Sequence, residues 1–468
     1  MNFLDYFIEL SRIPRSSGNE TAAVDYIAAV ADKYGLWYCR DGHNNILVRK
    51  NNNSEKTVML QGHTDMVCQK DDGVDIDFLN QGIECLEDGD YLTANGTTLG
   101  ADDGIAVAYM LDLLTKTDNN LPNLECLFTS DEEVGMTGAS SFDYSKIKSK
   151  MLINLDSEDE GVCVCGCAGG ARAVFDCKFD LITEFNRVYS LELSNLCGGH
   201  SGVDIDKGVA NATVMLSALL AEMYNTEPFN LISFVGGDKD NAIPRSAKAV
   251  FTAFDIDIYK PIIERFISEN KITLSKLDRK FKLRLNKHRH IGEMLTFADT
   301  HRIINLPLLI QNGVIEKSAD IENFVSTSAS LGVFNCSGGK LHSVSLVRSC
   351  YDASIEKVIL KSKALSRLLD FDFSIMGRYP SWKYNEKSSL REIYNECYIE
   401  NYGKSPSFDV IHAGLECGII YSAIPDIDII SIGPQIDFIH SPRERLSVSS
   451  ANRTYNLLKE MLYKILLN

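Results

Sequence analysis

The first 160 residues alternate between short apolar runs and stretches of helical period, and that alternation constrains the fold more than any other feature. NILVRK (45–50), KTVMLQ (56–61), LECLFTS (124–130) and MLINLD (151–156) have the length and apolar character of strands. A helical period runs over 105–114, and two helices are expected at 2–11 and 19–34, covering one face of the sheet. IPRSSG separates them, and Ser17 and Glu20 stand at capping-box spacing before the second. Strands alternating with helices make an α/β sandwich.

Near Gly169 the texture changes to long alternating stretches, ARAVFDCKFDL, RVYSLELSN, NLISFVGG and AKAVFTAFDIDI, interrupted by helices expected at 260–270, 297–312 and 353–369. That pattern belongs to an α+β unit. After DFSIMGRYP the helix-strand theme resumes with SLREIYNECYIENYG, a helix within HAGLECGIIYSA, the strand DIDIISIGP and a last helix at 449–466. The expected fold class is therefore α/β: a mixed-sheet α/β/α domain over 1–169 plus 379–468, with an inserted α+β domain over 170–378. A chain of 468 residues exceeds what one core usually organises, and 45% hydrophobic residues suffice for two.

The net charge of −17, with no clustered Lys and Arg, excludes a nucleic-acid partner. No run of about 18 apolar residues suggests a membrane span. The opening MNFLDYFIELSR lacks a basic start and carries Asp5 and Glu9 within its apolar stretch, unlike an export signal. Thirteen cysteines without a regular framework read as thiols, and a reducing cytoplasm is the expected compartment.

Open α/β sheets build their sites beyond the carboxyl ends of strands, and four strands here run into metal-ligand residue types. VMLQ leads to His63 and Asp65, LECLFT to Asp131, Glu132 and Glu133, MLINL to Asp156, and DIIS through a loop to His440. His63 and Asp65, two apart on an extended backbone, face the same way, so Asp65 can accept the imidazole's second N–H and orient it. In TTLGADDGIA, Asp102 and Asp103 open a helix, where a carboxylate can be presented rigidly enough to bridge two cations; Asp102 is the first choice. Adjacent Glu132 and Glu133 point in different directions, which divides a base from a ligand. Each residue alone has an ordinary reading as a cap, a turn or a solvated loop. Together two imidazoles and three carboxylates suffice for two divalent metal ions, with zinc, manganese and cobalt all suited to such a ligand set.

The order HTDMV, GADDGI, DEEVG, LDSED and FIHSPRE resembles the co-catalytic metallopeptidases of the M20 family, over most of the chain. Within it, CGGHSGVDI, GGDKDNAIPR and HAGLECG look like the aminoacyl-histidine dipeptidases, which cleave Xaa-His dipeptides such as carnosine. The resemblance implies a catalytic domain of zinc-peptidase type and two Zn²⁺ ions. His63 and Asp156 would hold one ion, Glu133 and His440 the other, with Asp102 bridging and Glu132 as general base towards a metal-bridging water. It implies further that the inserted domain is a lid that forms a homodimer, with His200, Asn241, Arg348 and Gly414 binding the dipeptide and His200 acting across the dimer interface. A guanidinium at Arg348 suits the terminal carboxylate. Asp103 departs from the family, whose members commonly carry Asn there. A deacylase or aminopeptidase acting on another amide would use the same site, whereas a non-catalytic metal-binding protein has no need of Glu132.

Other signals carry less. Cys163, Cys165 and Cys167, at period two, are expected on one face of an extended segment, as core rather than as a metal site lacking its fourth cysteine. KLDRKFKLRLNKHRH reads as a strand with a solvated basic face, and His288, His290, His301 and His342 as surface or satisfied histidines. His412 is expected either beside the site or in the core.

Overall fold

The computed structural model describes residues 1–117, 120–183, 187–288, 292–318 and 324–467; His290 lies outside them. The chain divides into two compact units, one of residues 1–167, 382–411 and 415–468, the other of 168–381 and 412–414.

The first unit is built on an eight-stranded mixed sheet. In chain order its strands are β1 (Trp37–Arg40), β2 (Ile46–Lys50), β3 (Thr57–His63), β4 (Asn123–Thr129), β5 (Met151–Asn154), β6 (Val162–Cys167), β7 (Ser407–Ile411) and β8 (Asp428–Ser431). They lie in the order β1-β2-β4-β3-β5-β8-β6-β7. The four central strands, β4, β3, β5 and β8, are mutually parallel. All four therefore end at one edge of the sheet, where His63 closes β3 and the loops that follow the strands carry Glu132 and Glu133, Asp65, Asp156, and His440.

Pleating divides the strand side chains between two apolar layers. Val58, Leu60, Cys126, Phe128 and Ile153 face a core shared with helices Phe3–Ser11, Thr21–Lys33, Ala101–Thr115, Ser389–Tyr402 and Val448–Leu467. Met59, Leu127 and Leu152 face the other layer, filled by Phe142, Trp382 and residues of helix Glu416–Ala423. Covering both faces explains why these strands carry apolar residues on both sides. The capping box expected at Ser17 and Glu20 is not formed. Ser17 Oγ instead donates to Asp65 Oδ2 at 2.8 Å, and Glu20 Oε1 accepts from the N–H groups of Gly18 and Asp131, so both residues serve the loops at the sheet edge. The cysteine reading is also corrected. Cys163 and Cys165 share a face, their sulfurs 3.7 Å apart, but Cys167 joins the opposite layer where the pairing of β6 with β7 shifts register.

The second unit is an antiparallel sheet running Lys282–His288, Arg187–Ser194, Ala247–Ala253, Leu231–Asp238, Val325–Ser337, Lys340–Ser349, Gly169–Lys178 and Asp372–Tyr379, with Gly313–Lys317 against the fifth. Helices Ala212–Thr226, Lys260–Thr273, Phe297–Leu309 and Asp352–Leu369 contribute to its core. The basic stretch forms the edge strand Lys282–His288, with Leu283 and Leu285 half-buried and Arg284 exposed. His288 bonds Ser190, His301 stacks on Tyr224, and His342 pairs with Asp176. Among the described residues no helix is long and apolar enough to cross a membrane.

Candidate metal centre

Beyond the edge where β3, β4, β5 and β8 end, the ligand-type side chains converge on Asp102. Its Oδ1 lies 3.1 Å from His63 Nε2, which is itself 3.4 Å from Asp156 Oδ1. Its other oxygen, Oδ2, lies 3.0 Å from His440 Nε2, which is 2.9 Å from Glu133 Oε1. One carboxylate thus puts an oxygen into each of two three-residue groups, His63–Asp102–Asp156 and Asp102–Glu133–His440, and a third group joins His63 to Glu132 and Glu133. Zinc–nitrogen and zinc–oxygen bonds of about 2.0–2.1 Å give a tetrahedron with edges of about 3.3 Å, close to these donor separations. Glu133 Oε1 is buried and, among the described residues, has no partner but His440 within hydrogen-bonding or ion-pair distance, as suits a donor atom aimed at a third body beside that imidazole. The residues fit two divalent cations.

The helix Ala101–Thr115 brings Asp102 to this point. Gly62 lets it approach β3, since a Cβ there would come within 2.6 Å of Ala106 Cβ. Glu444, four residues after His440, accepts the backbone N–H groups of Leu99, Gly100 and Ala101 at 2.9, 3.1 and 2.8 Å, and that of Asp102 at 3.4 Å. Arg15, fully buried, donates to the carbonyls of Thr64 and Asp65 at 3.0 Å each and also to Gly100 O, tying the His63 loop to the Asp102 loop. Asp65 is the second organiser. It lies 3.2 Å from His63 Nδ1 and accepts the N–H groups of Glu132 and Glu133. Asp131 and His440 have φ of 52° and 58°, left-handed values that are strained for residues other than glycine and concentrate at sites.

As a set of side chains alone, the centre is electrostatically frustrated. Burial opposes charge on Asp102, yet bonds to His440 and His63 hold its carboxyl well below the usual range. Burial pushes Asp156 up to about 6, with Asp102 and Glu133 adding to it and His63 opposing. Burial also raises Glu132 well above the ordinary value, against the pull of His63 and with help from Asp156, Glu133 and Glu416. Burial works against charging the imidazoles, but surrounding carboxylates overcome it, taking His440 to about 11 and His63 well above its usual value. Divalent cations reverse this logic, making ionised carboxylates and neutral imidazoles the favoured forms.

A model of peptidase family M20/M25/M40 matches residues 59–464. The chain belongs to that family. It is accordingly a peptidase, with the candidate metal ligands of a metallopeptidase. It is 34% identical over 471 residues to the cytosol non-specific dipeptidase of Escherichia coli (strain K12), covering 98% of this chain and 97% of that one. The crystal structure of the aminoacylhistidine dipeptidase from Vibrio alginolyticus is similar at 32% identity with a TM-score of 0.85, over 98% of this chain and 96% of that chain. An aminopeptidase from Bacillus cereus ATCC 10987, 16% identical with a TM-score of 0.57 over 99% of this chain and 98% of its own, shares the M20 fold.

His200, Asn241, Arg348 and Gly414 belong to the second unit. There Arg348 Nη1 donates to Tyr379 Oη at 2.9 Å, Nη2 lies 3.5 Å from His200 Nε2, and the buried Nε has no partner among the described residues. Asn241 adjoins a short antiparallel pairing in which His200 faces Ala242, and Asn241 O accepts the N–H of Ser201. His412 is buried in this unit and shares a 2.7 Å hydrogen bond with Ser328; burial, then Arg348 and His200, push its pKa down to about 4. Arg15 and Glu444, each alone in an irregular segment, and Glu416, at the start of helix Glu416–Ala423, were given no role by the sequence reading, since no spacing ties them to the site.

Proposed function

We propose that this M20 peptidase is a dinuclear, metal-dependent dipeptidase that hydrolyses Xaa-His dipeptides of the carnosine kind. The observation that carries the reading is the division of Asp102 between the two groups, one oxygen to each. His63 and Asp156 would hold one ion, Glu133 and His440 the other, with Asp102 between them and Zn²⁺ the favoured metal. Bound divalent ions supply Lewis acidity, polarising the scissile carbonyl and acidifying water. Glu132 takes the proton from the attacking water at its carboxylate and returns it to the leaving amine. Asp65 keeps the His63 ring in the tautomer that leaves Nε2 free, and fixes the backbone of Glu132.

The second unit carries the proposed substrate contacts, Arg348 for the dipeptide's carboxylate with His200, Asn241 and Gly414 beside it in role, and the proposed lid and homodimer interface. The reading includes a cytoplasmic location, supported by the name of one similar protein, the cytosol non-specific dipeptidase. The test is one panel: metal-depleted protein supplied with Zn²⁺, Mn²⁺ or Co²⁺ and offered Xaa-His dipeptides, other dipeptides and N-acyl amino acids. Metal-restored hydrolysis with Xaa-His among the best substrates is expected. Cleavage confined to N-acyl amino acids, or none with any metal, would overturn the reading; sedimentation of the protein tests the dimer.

A further inference from the structure

Behind the candidate ligands lies a second tier of polar residues that the proposed chemistry leaves unused. On the sheet face that looks towards helix Glu416–Ala423, three strands repeat one arrangement along their length: an apolar residue, a polar residue two positions on, and two further on the start of a metal-centre segment. The series are Met59, Gln61, His63 on β3; Leu127 and Thr129 on β4, with Asp131 beyond its end; and Leu152 and Asn154 on β5, with Asp156 beyond its end. Alternation places the strand members of each series on one face. Gln61, Thr129 and Asn154 are fully buried between an apolar floor and the metal centre.

Their bonds converge on Glu416, a fully buried carboxyl. Its Oε2 accepts from Gln61 Nε2 at 2.5 Å and from Thr129 Oγ1 at 2.6 Å. Gln61 also accepts from Asn154 Nδ2 at 2.7 Å, and these two residues are direct partners in the pairing of β3 with β5. Thr129 O in turn accepts both the N–H and the Oγ1 of Thr64, next to His63. An apolar residue at 416 would remove the acceptor that Gln61 Nε2 and Thr129 Oγ1 share, leaving them the 3.1 Å bond between Gln61 and Thr129 and the 3.4 Å bond of Thr129 Oγ1 to Gly62 O.

We propose that Glu416 is a positioning residue for the ion held by His63 and Asp156, acting through the Gln61–Asn154 rung to fix the separation of β3 and β5 one step beneath those two ligands. The inference rests on the dinuclear reading above. Neither Glu416 nor its partners touch the group formed by Asp102, Glu133 and His440 through any hydrogen bond the structure shows among the described residues. Removing Glu416 therefore acts on one ion more than on the other. Burial raises the Glu416 carboxyl to about 8, with Asp156 and Asp65 adding to it against His63 and the Thr129 bond, and the amide of glutamine would keep an oxygen acceptor for Gln61 and Thr129 in the same place.

The experiment is stepwise titration of metal-depleted full-length protein with ZnCl₂, followed calorimetrically, with melting temperature measured alongside. The parent takes up two equivalents; fewer would refute the dinuclear reading and be visible in the parent itself. In Glu416→Ala one equivalent should weaken at least tenfold while the other stays within about threefold, and Glu416→Gln should restore both to within about threefold of the parent. Gln61→Leu, which cuts the rung and spares the Glu416–Thr129 bond, should reproduce the selective loss, and it decides the matter if Glu416→Ala does not fold. Parent-like binding of both equivalents in Glu416→Ala and Gln61→Leu would overturn the proposal. So would a parallel fall of both affinities with the melting temperature, or a failure of Glu416→Gln to rescue.

Discussion

Glu132 and Glu133 are chain neighbours with different company: Glu133 reaches Asp102 and His440, whereas Glu132 is grouped with His63 and makes no ion pair with either imidazole. Exchanging Glu132 for the isosteric amide therefore removes a proton acceptor and leaves the Asp102-centred ligand groups intact. Glu132→Gln should lower turnover by at least about 10²–10⁴-fold while metal content stays near that of the parent, checked by steady-state kinetics and metal analysis on the same preparation. His412 offers a different residue-level test. Its folded pKa, depressed to about 4 by burial and by Arg348 and His200, lies below the ordinary 6.5. The unfolded chain thus binds a proton between those values that the folded chain refuses, so stability is full above pH 6.5 and falls as pH drops towards 4. Replacing His412 by Gln should flatten that part of the stability–pH curve, a difference on the order of 2–3 kcal/mol in denaturant titrations at pH 7 and pH 4.5.

At the scale of elements, the centre depends on how a helix start, three strand ends and a late loop are fastened together. Glu444 serves four consecutive buried N–H groups at the start of helix Ala101–Thr115. Glu444→Ala should destabilise the protein by roughly 2–4 kcal/mol, read from chemical denaturation, because those donors lose a charged acceptor with no water to replace it. What could be read in advance follows the same division. Strands β3 to β5 and the ligand-type residues at and after their ends were legible because buried parallel strands are short and apolar and their sites lie at their carboxyl ends. The fasteners were not. Ser17 and Glu20 fit a local helix cap, but tertiary partners, Asp65 and the N–H of Asp131, outcompeted it. Cys163, Cys165 and Cys167 had the period of one face, and a register shift against β7 sent the third to the other. Arg15 in a loop and Glu416 at a helix start are single charges whose meaning lies only in distant contacts.

For the whole molecule, acidic groups gathered around Asp102 mean that metal binding and folding are linked. Cations relieve repulsion among Asp102, Glu133 and Asp156 and bind the folded chain far better than the unfolded one. At a free metal concentration one hundred times the dissociation constant, each ion adds about 2.7 kcal/mol. Treatment with a chelator should therefore lower the melting temperature of the unit that carries the centre, and ZnCl₂ should restore it; a calorimetric trace unmoved by chelation would contradict the linkage. The linkage also acts in time. Asp102 and its partner His440 are separated by 338 positions, with the whole second unit encoded between them. At translation rates of about 5–20 residues per second, a ribosome needs roughly 20–70 seconds to travel from one to the other. During that interval the nascent chain displays His63, Asp102, Glu133 and Asp156 without the imidazole or the Glu444 clasp that complete their arrangement. In the proposed reading, only the group of Asp102, Glu133 and His440 waits until the coding sequence is nearly spent, whereas His63, Asp102 and Asp156 have all been synthesised long before.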